Sequence, residues 1–343
     1  MRVVRLGPFG VLTHTRVIVV GWVLFAVASV FFLLGLTVGP VEIPLGDALA
    51  AAFGFTTDSQ ADFIVGQLRA PRTFTTVLIG IMFALAGAIL QSLTRNPLAS
   101  PDFIGISAGA GAGAVAVIAF AGATSAWLVA AGAGIGGIVA AAIIIALAWH
   151  GGIVPLRMVL TGIGIGFVAS AVSQYLLTVM DINNADQALV WLVGSTANRT
   201  WQHVAVAAVI LAVMIPIIVT LSRSLRTMEM GDETAEALGI PVARARLLLV
   251  LCAVLLAAGA TAVVGPVGFI ALVSPALARR LTRAPGVTLI PAALMGAALA
   301  LVADYAAQHA TGDMQLPIGL YTAAIGAPYL LWLVGRSARG GQQ

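Results

Sequence analysis

The chain contains no lysine; its 17 basic residues are all arginine. A Walker A phosphate loop needs its lysine to reach the terminal phosphates, and Schiff-base catalysis needs a lysine amine, so both are excluded. Charge of either sign is scarce. Charged residues make up 9% of the 343, against an apolar share of 60% and a mean hydropathy of +1.06. A soluble protein carries about 25% charged residues. So few charges cannot keep a globular surface wet, which excludes a soluble fold. Cysteine occurs once, as Cys252 inside an apolar run. No intrachain disulfide or cysteine metal cluster can form, and the thiol reads as a small buried hydrophobe. The four histidines (His14, His150, His203, His309) lack the H-E-x-x-H spacing of a zinc site. Neither a catalytic centre, a metal site nor a cofactor is expected. A net charge of +4 with a pI near 10 would suit nucleic acid, but the arginines are too dispersed for that, and a membrane explains their placement better.

What is abundant is long apolar sequence. A helix needs about 20 apolar residues to cross the bilayer core. Runs without Asp, Glu, Lys or Arg cover 17–41, 73–94, 103–156, 158–180, 200–222, 247–278, 284–303 and 314–335. The run 103–156 predicts two spans, divided near Gly122–Ser125. The run 247–278 is broken by Gly265-Pro266 and predicts one full span followed by a shorter, partly buried helix. The expected fold is therefore an all-α integral membrane protein of about ten transmembrane helices in one domain, residues 1–343. The stretch 17–38 reads as a retained first span, because its apolar run exceeds a signal peptide's and no clear small-x-small site follows.

Charge placement supports an even number of spans. With ten, one side of the membrane holds fourteen arginines and five acids. The other keeps Arg69, Arg72 and Arg199 with eight acids: Glu42, Asp47, Asp58, Asp62, Asp181, Asp186, Asp304 and Asp313. The positive-inside rule then puts both termini in the cytoplasm.

The spans are dense in small residues, most clearly at Gly105–Gly113 and Gly162–Gly166. Such residues let membrane helices approach closely. Among the loops, 39–68 contains Pro40, Pro44 and a short helix expected from Leu45 to Phe53. The segment 181–200 and its border carry Trp191 and Trp201, suited to the membrane boundary. Residues 223–246 form the extended charged loop on the arginine-rich side. There Thr234 or Asp232 is expected to cap a short helix that ends at Gly239 and is closed by Pro241. By itself this helix suits a docking element and a solvated connector equally.

Several blocks together carry a family resemblance. They are Leu68-Arg-Ala-Pro-Arg72, Gln91-Ser-Leu-Thr-Arg-Asn-Pro-Leu-Ala-Ser-Pro101, Ala237-Leu-Gly239, Gly265-Pro-Val-Gly-Phe-Ile-Ala-Leu-Val-Ser-Pro275, Ala303-Asp304 and Leu316-Pro-Ile-Gly-Leu-Tyr-Thr-Ala-Ala-Ile-Gly-Ala-Pro328. In this order, across roughly residues 60–335, the chain resembles the FecCD-type permeases, membrane subunits of ABC importers for ferric siderophores, haem and cobalamin. The resemblance implies a type II ABC importer transmembrane subunit in the plasma membrane. It would pair with a second permease subunit, identical or different, around a central path. Two cytoplasmic ATPase subunits would drive it, and an extracytoplasmic binding protein would deliver the ligand, with ferric siderophore favoured over haem or cobalamin. The missing lysine fits independently, since the phosphate loop must lie on another chain.

The resemblance also suggests roles. Arg69 and Arg72, three apart and so sharing a helix face, would meet carboxylates of the binding protein. Thr234, Ala235, Glu236, Ala237, Leu238, Gly239 and Ile240 match the coupling helix that seats in the ATPase. Arg95, Asn96 and Pro97 would form a hinge near the inner mouth, with Asn96 bonding freed helix carbonyls. Polar groups along the spans, Ser107, Thr161, Ser170, Ser173 and Gln174, are the expected lining of the path. Asp304 stands out as an acid near a span end. Two positions depart from the family pattern: Ala276 where His is common, and Gln308 where Arg is common, which removes a third possible docking arginine. A secondary transporter, with Gly265-Pro266 as a broken helix, is the alternative of another class, but its spans would lack an obvious ion relay.

Overall fold

The computed structural model describes the backbone of residues 2–6, 9–13, 15–55, 59–121, 125–150, 152–284, 286–310 and 315–340, with side chains in 15–55 and 60–332 of these bounds. An antiparallel hairpin, β1 (Arg2–Leu6) and β2 (Phe9–Thr13), precedes the helices. They are α1 (Thr15–Thr37), α2 (Leu45–Ala52), α3 (Ser59–Ala61) with a π-helical turn (Asp62–Arg69), α4 (Ala70–Thr94), α5 (Ile106–Ala121), α6 (Ala126–Ala148) and α7 (Pro155–Val179). There follow α8 (Ile182–Val193), α9 (Trp201–Met228), α10 (Asp232–Ala237), α11 (Val242–Val264), α12 (Ile270–Thr282), α13 (Leu289–His309) and α14 (Ile318–Gly340).

Seven of these are long and apolar enough to cross a membrane: α1, α4 with its π-helical turn, α6, α7, α9, α11 and α13. The apolar helices α5 and α14 are shorter, and α12 has 13 residues. These ten helices fall on the ten segments expected from the charge-free runs. The α11–α12 break comes at Gly265, whose φ of +82° ends α11. The expected interfacial helix is α2. Gly122–Thr124 of the expected α5–α6 turn, Asp58, Asp313 and the side chains of the terminal arginines lie outside the described residues.

The core gathers around α4 and α11, which pack on each other and on α9; α12 and α13 also lie against α4, and α6 against α11. Ile79, Met82, Phe83 and Ile89 of α4 and Leu249, Leu256 and Ala260 of α11 are buried. Small residues make that closeness possible. A methyl group at Gly87 would overlap the Ala271 carbonyl of α12. The two glycine runs singled out in the sequence meet each other, since a Cβ at Gly105 would lie 2.5 Å from the Gly162 carbonyl oxygen. Without an apolar driving force between helices in lipid, such backbone approach supplies the dispersion contact. The outer helices α1 and α7 instead leave Trp22, Phe25, Leu160, Phe167 and Val172 exposed, apolar faces of the kind lipid or another membrane chain covers.

The bundle has two chemically distinct ends. One gathers the start of α1 and the ends of α4, α9 and α12 with α10 and the start of α11; most arginines lie here. The other gathers the end of α1, the starts of α4, α9 and α14, and the end of α13.

Candidate functional site

At the second end the structure divides the Arg69–Arg72 pair. Arg69 closes the π-helical turn and donates to the carbonyls of Leu36 (3.0 Å), Thr37 (3.1 Å) and Val41 (2.5 Å). It thereby satisfies carbonyls that the end of α1 leaves without helical partners, and its positive charge suits the negative helix end. Arg72, in the first turn of α4, reaches α13 instead. The two guanidinium groups therefore serve different partners within the chain, one at the end of α1 and one on α13.

Arg72 forks onto Asp304, with Nε 3.2 Å from both carboxylate oxygens and Nη2 2.9 Å from Oδ1. Thr196, before α9, donates its hydroxyl to Oδ1, and Gln308 Nε2 donates to Oδ2 at 2.9 Å. Arg72 Nη1 also donates to Gln315 (3.1 Å), before α14. The pair is secluded, with side chains 12% and 4% exposed. Asp304 is therefore the buried anchor that ties α4, α13 and the approaches to α9 and α14. Gln308 gains a physical reason as well: Arg72 already balances Asp304, and a neutral amide adds a donor without a second charge. The third arginine here, Arg199, donates to the Ser195 carbonyl (2.9 Å), and burial pushes its pKa down to about 10.

At the arginine-rich end the short helix α10 appears, with a different cap from the one expected. Gly231 is the N-cap, at φ +124°. Asp232 is unavailable for capping because its carboxylate accepts from Arg95 Nη2 (2.7 Å) and Arg246 Nη2 (2.6 Å). Ala235 is buried beneath the helix, Ile240 is half-buried, and Thr234, Glu236, Ala237, Leu238 and Gly239 are exposed. Gly239 turns the chain at φ +80° toward α11. Its exposed residues mix the small Ala237 and Gly239 and the apolar Leu238 with Thr234 and the acids Glu233 and Glu236.

Arg95 ends α4 in the left-handed region (φ +50°) and donates to the Met228 carbonyl at the end of α9 (2.7 Å). Asn96 does not bond helix carbonyls with its side chain; its Oδ1 accepts from the Leu98 N–H (2.9 Å), and its own N–H takes the Gln91 carbonyl (3.1 Å). A side-chain oxygen that folds back two residues on is the usual use of asparagine in a turn, here before Pro97. Gln91 and Ser92, which open the same sequence block but carry no expected role, make further links in the last turn of α4. Gln91 donates to the Leu272 carbonyl of α12 (2.9 Å) and accepts from Arg279 (2.7 Å). Ser92 donates to Glu229 (2.7 Å), which also accepts the Val287 N–H (3.1 Å). Arg246, buried on α11, reaches the Ile153 carbonyl (3.2 Å). The end of α4 is thus fastened to α9, α10 and α12 together.

Between α4 and α5, Asp102 is half-buried and accepts from Ser107 (2.5 Å) and Ser100 (3.2 Å), with a further backbone hydrogen bond from Phe269. Burial pushes its carboxyl above the usual range, and these hydrogen bonds offset part of that. Ser107 is committed to this anchor. Residues 105–109 spell Gly-x-Ser-x-Gly, the letters of a hydrolase nucleophile elbow. Here the serine opens a membrane helix after a loop and donates to a carboxylate. The remaining expected lining groups all lie on α7. Thr161 and Ser173 return their hydroxyls to the Arg157 and Ala169 carbonyls (2.7 and 3.0 Å). Ser170 is half-buried and Gln174 exposed, one turn apart on α7.

A lysine-free bundle of apolar helices, seven of them long enough to span a bilayer among the described residues, defines an integral membrane protein. A family model described as the FecCD transport family matches residues 27–336, and the chain belongs to that family. It is 38% identical over 305 residues to the ferric enterobactin transport system permease protein FepG of Escherichia coli (strain K12), covering 89% of this chain and 92% of that one. It is 38% identical over 283 residues to the Fe(3+)-citrate import system permease protein YfmE of Bacillus subtilis (strain 168), covering 82% and 85%. A solved structure described as an inward-facing conformation of a metal-chelate type ABC transporter matches with a TM-score of 0.80 at 26% identity, covering 93% of this chain and 99% of that one.

Proposed function

We propose that this chain is the membrane permease subunit of an ATP-driven importer that moves a ferric siderophore into the cell. The observation that carries the reading is α10: a short, largely exposed helix, held by Asp232 to the end of α4 and to α11. Such an element lets an external motor move the bundle. The family membership and the ferric-chelate relatives support the cargo.

In this reading the arginine-rich end faces the cytoplasm, as the positive-inside rule requires. Thr234 to Ile240 seat in a partner ATPase that supplies the phosphate loop this chain lacks. Arg95, Asn96 and Pro97 pass its movement to α4. A second permease subunit covers the exposed face of α7, and cargo passes between the two chains. The binding protein docks at the opposite end around Arg69 and Arg72, whose contacts to Val41 and Gln315 lie at the exposed edge. The test is reconstitution of the chain with its ATPase, pairing subunit and binding protein in proteoliposomes. ATP-dependent accumulation of ferric siderophore is expected. Accumulation driven by an ion gradient without ATP would overturn the reading in favour of a secondary transporter.

A further inference from the structure

At the arginine-rich end, away from α10, four arginines line one cleft of about 540 Å³: Arg16 at the start of α1, and Arg279, Arg280 and Arg283 at the end of α12, with Leu281 between them. Three are held in place by neutral groups. Arg16 Nε donates to the Leu281 carbonyl (2.6 Å), Arg279 Nη2 to Gln91 (2.7 Å), and Arg280 lies 3.9 Å over the Trp332 ring. Among the described residues no carboxylate lies within ion-pair distance of any of the four. Each guanidinium carries five N–H donors, so most donors at the cleft are unspent.

The surroundings say what kind of anion fits. Arg16 heads α1, which exposes Val19, Trp22 and Val23 one to two turns beyond it. Leu281, in the cleft wall, is exposed as well. A cluster of positive charge heads an apolar wall. We propose that this cleft is a binding site for an anionic phospholipid, with the guanidinium groups forking onto the headgroup phosphate and the acyl chains lying along α1. Basic pockets between helices on the cytoplasmic side take such headgroups. The assignment of the leaflet rests on the orientation proposed above; the binding itself does not depend on transport.

The test is native mass spectrometry of the full chain in detergent, titrated with phosphatidylglycerol and with phosphatidylcholine of the same acyl chains. The expected result is a preference of about tenfold for phosphatidylglycerol. The variant Arg16→Gln/Arg280→Gln/Arg283→Gln should lose the preference, and lysine at the same three positions should keep part of it. Arg283→Gln alone, which removes no hydrogen bond seen in the structure, should weaken it without affecting the fold. Equal affinity for the two lipids would overturn the proposal. So would displacement of phosphatidylglycerol by millimolar inorganic phosphate, which would mark a free-anion site. A triple variant that keeps its lipid preference but loses binding of the partner ATPase would assign the cleft to a protein contact and overturn it as well. Because no readout involves uptake, failure of the importer reading would leave these results interpretable.

Discussion

The two ends of the bundle use the same chemistry, arginine on aspartate, in opposite settings. Arg72 and Asp304 are 12% and 4% exposed, and every strong donor around the carboxylate is spent inside the chain. Arg95 and Asp232 are 48% and 41% exposed, and Asp232 is shared with Arg246. A buried pair cannot be dissolved without stranding a charge in a low-dielectric interior. A half-exposed pair exchanges with water at little cost. One end is therefore a lock that fixes helix positions. The other is a link whose members can shift while remaining paired, which suits the end that a motor moves.

Breaking the lock should have the largest effect. Asp304→Ala leaves Arg72 buried without a counter-charge and should cost about 3–5 kcal/mol, read as a large drop in thermal unfolding temperature in detergent. The double variant Arg72→Met/Asp304→Leu should recover most of that loss; no recovery would mean the network does more than balance charge. Next comes Arg246, the better-buried member of the link. Arg246→Met loses one charged bond and one carbonyl bond and should cost about 1.5–3 kcal/mol. Gly239→Ala forces a side chain into a left-handed turn that is open to solvent, so the strain of about 1 kcal/mol should appear without any clash.

The smallest effect concerns pH. The folded-state pKa of Asp102 lies above its unfolded value. Its contribution to stability is therefore fully present below the ordinary aspartate range near 3.9 and is lost as pH rises through the folded pKa. Asp102→Asn lacks this dependence. The variant's unfolding temperature relative to the wild type should rise from acidic to neutral pH. A constant difference would show that Asp102 does not change protonation there.

Much of this was legible in the sequence, for a simple reason. A span is a one-dimensional fact: about 20 residues without charge. The break at Gly265-Pro266 and the turn at Gly239 were equally readable, because local chemistry dictates them. The partners of the charged groups were not. Asp304 and Arg72 are 232 residues apart, and nothing local distinguishes an arginine that meets a carboxylate across the bundle from one that faces solvent. Nor does the spacing of Arg69 and Arg72 say that one guanidinium turns to carbonyls at the end of α1 and the other to Asp304. Glu229, Arg246 and Asp102 passed without notice, although a carboxylate set between Ser100 and Ser107 in a chain so poor in charge was an available signal. The glycine runs showed that helices would touch, but not which ones.

The central claim is that Asp232 transmits movement from α10 to α4 and α11 and is not merely part of the scaffold. Asp232→Asn keeps the side chain's size and an oxygen that can accept from Arg246, so it should cost no more than Arg246→Met, about 1.5–3 kcal/mol. The measurement is the amount of ferric siderophore accumulated per ATP hydrolysed, in proteoliposomes holding the complete importer. The account predicts that hydrolysis persists while accumulation collapses. Accumulation per ATP equal to that of the wild type would contradict it.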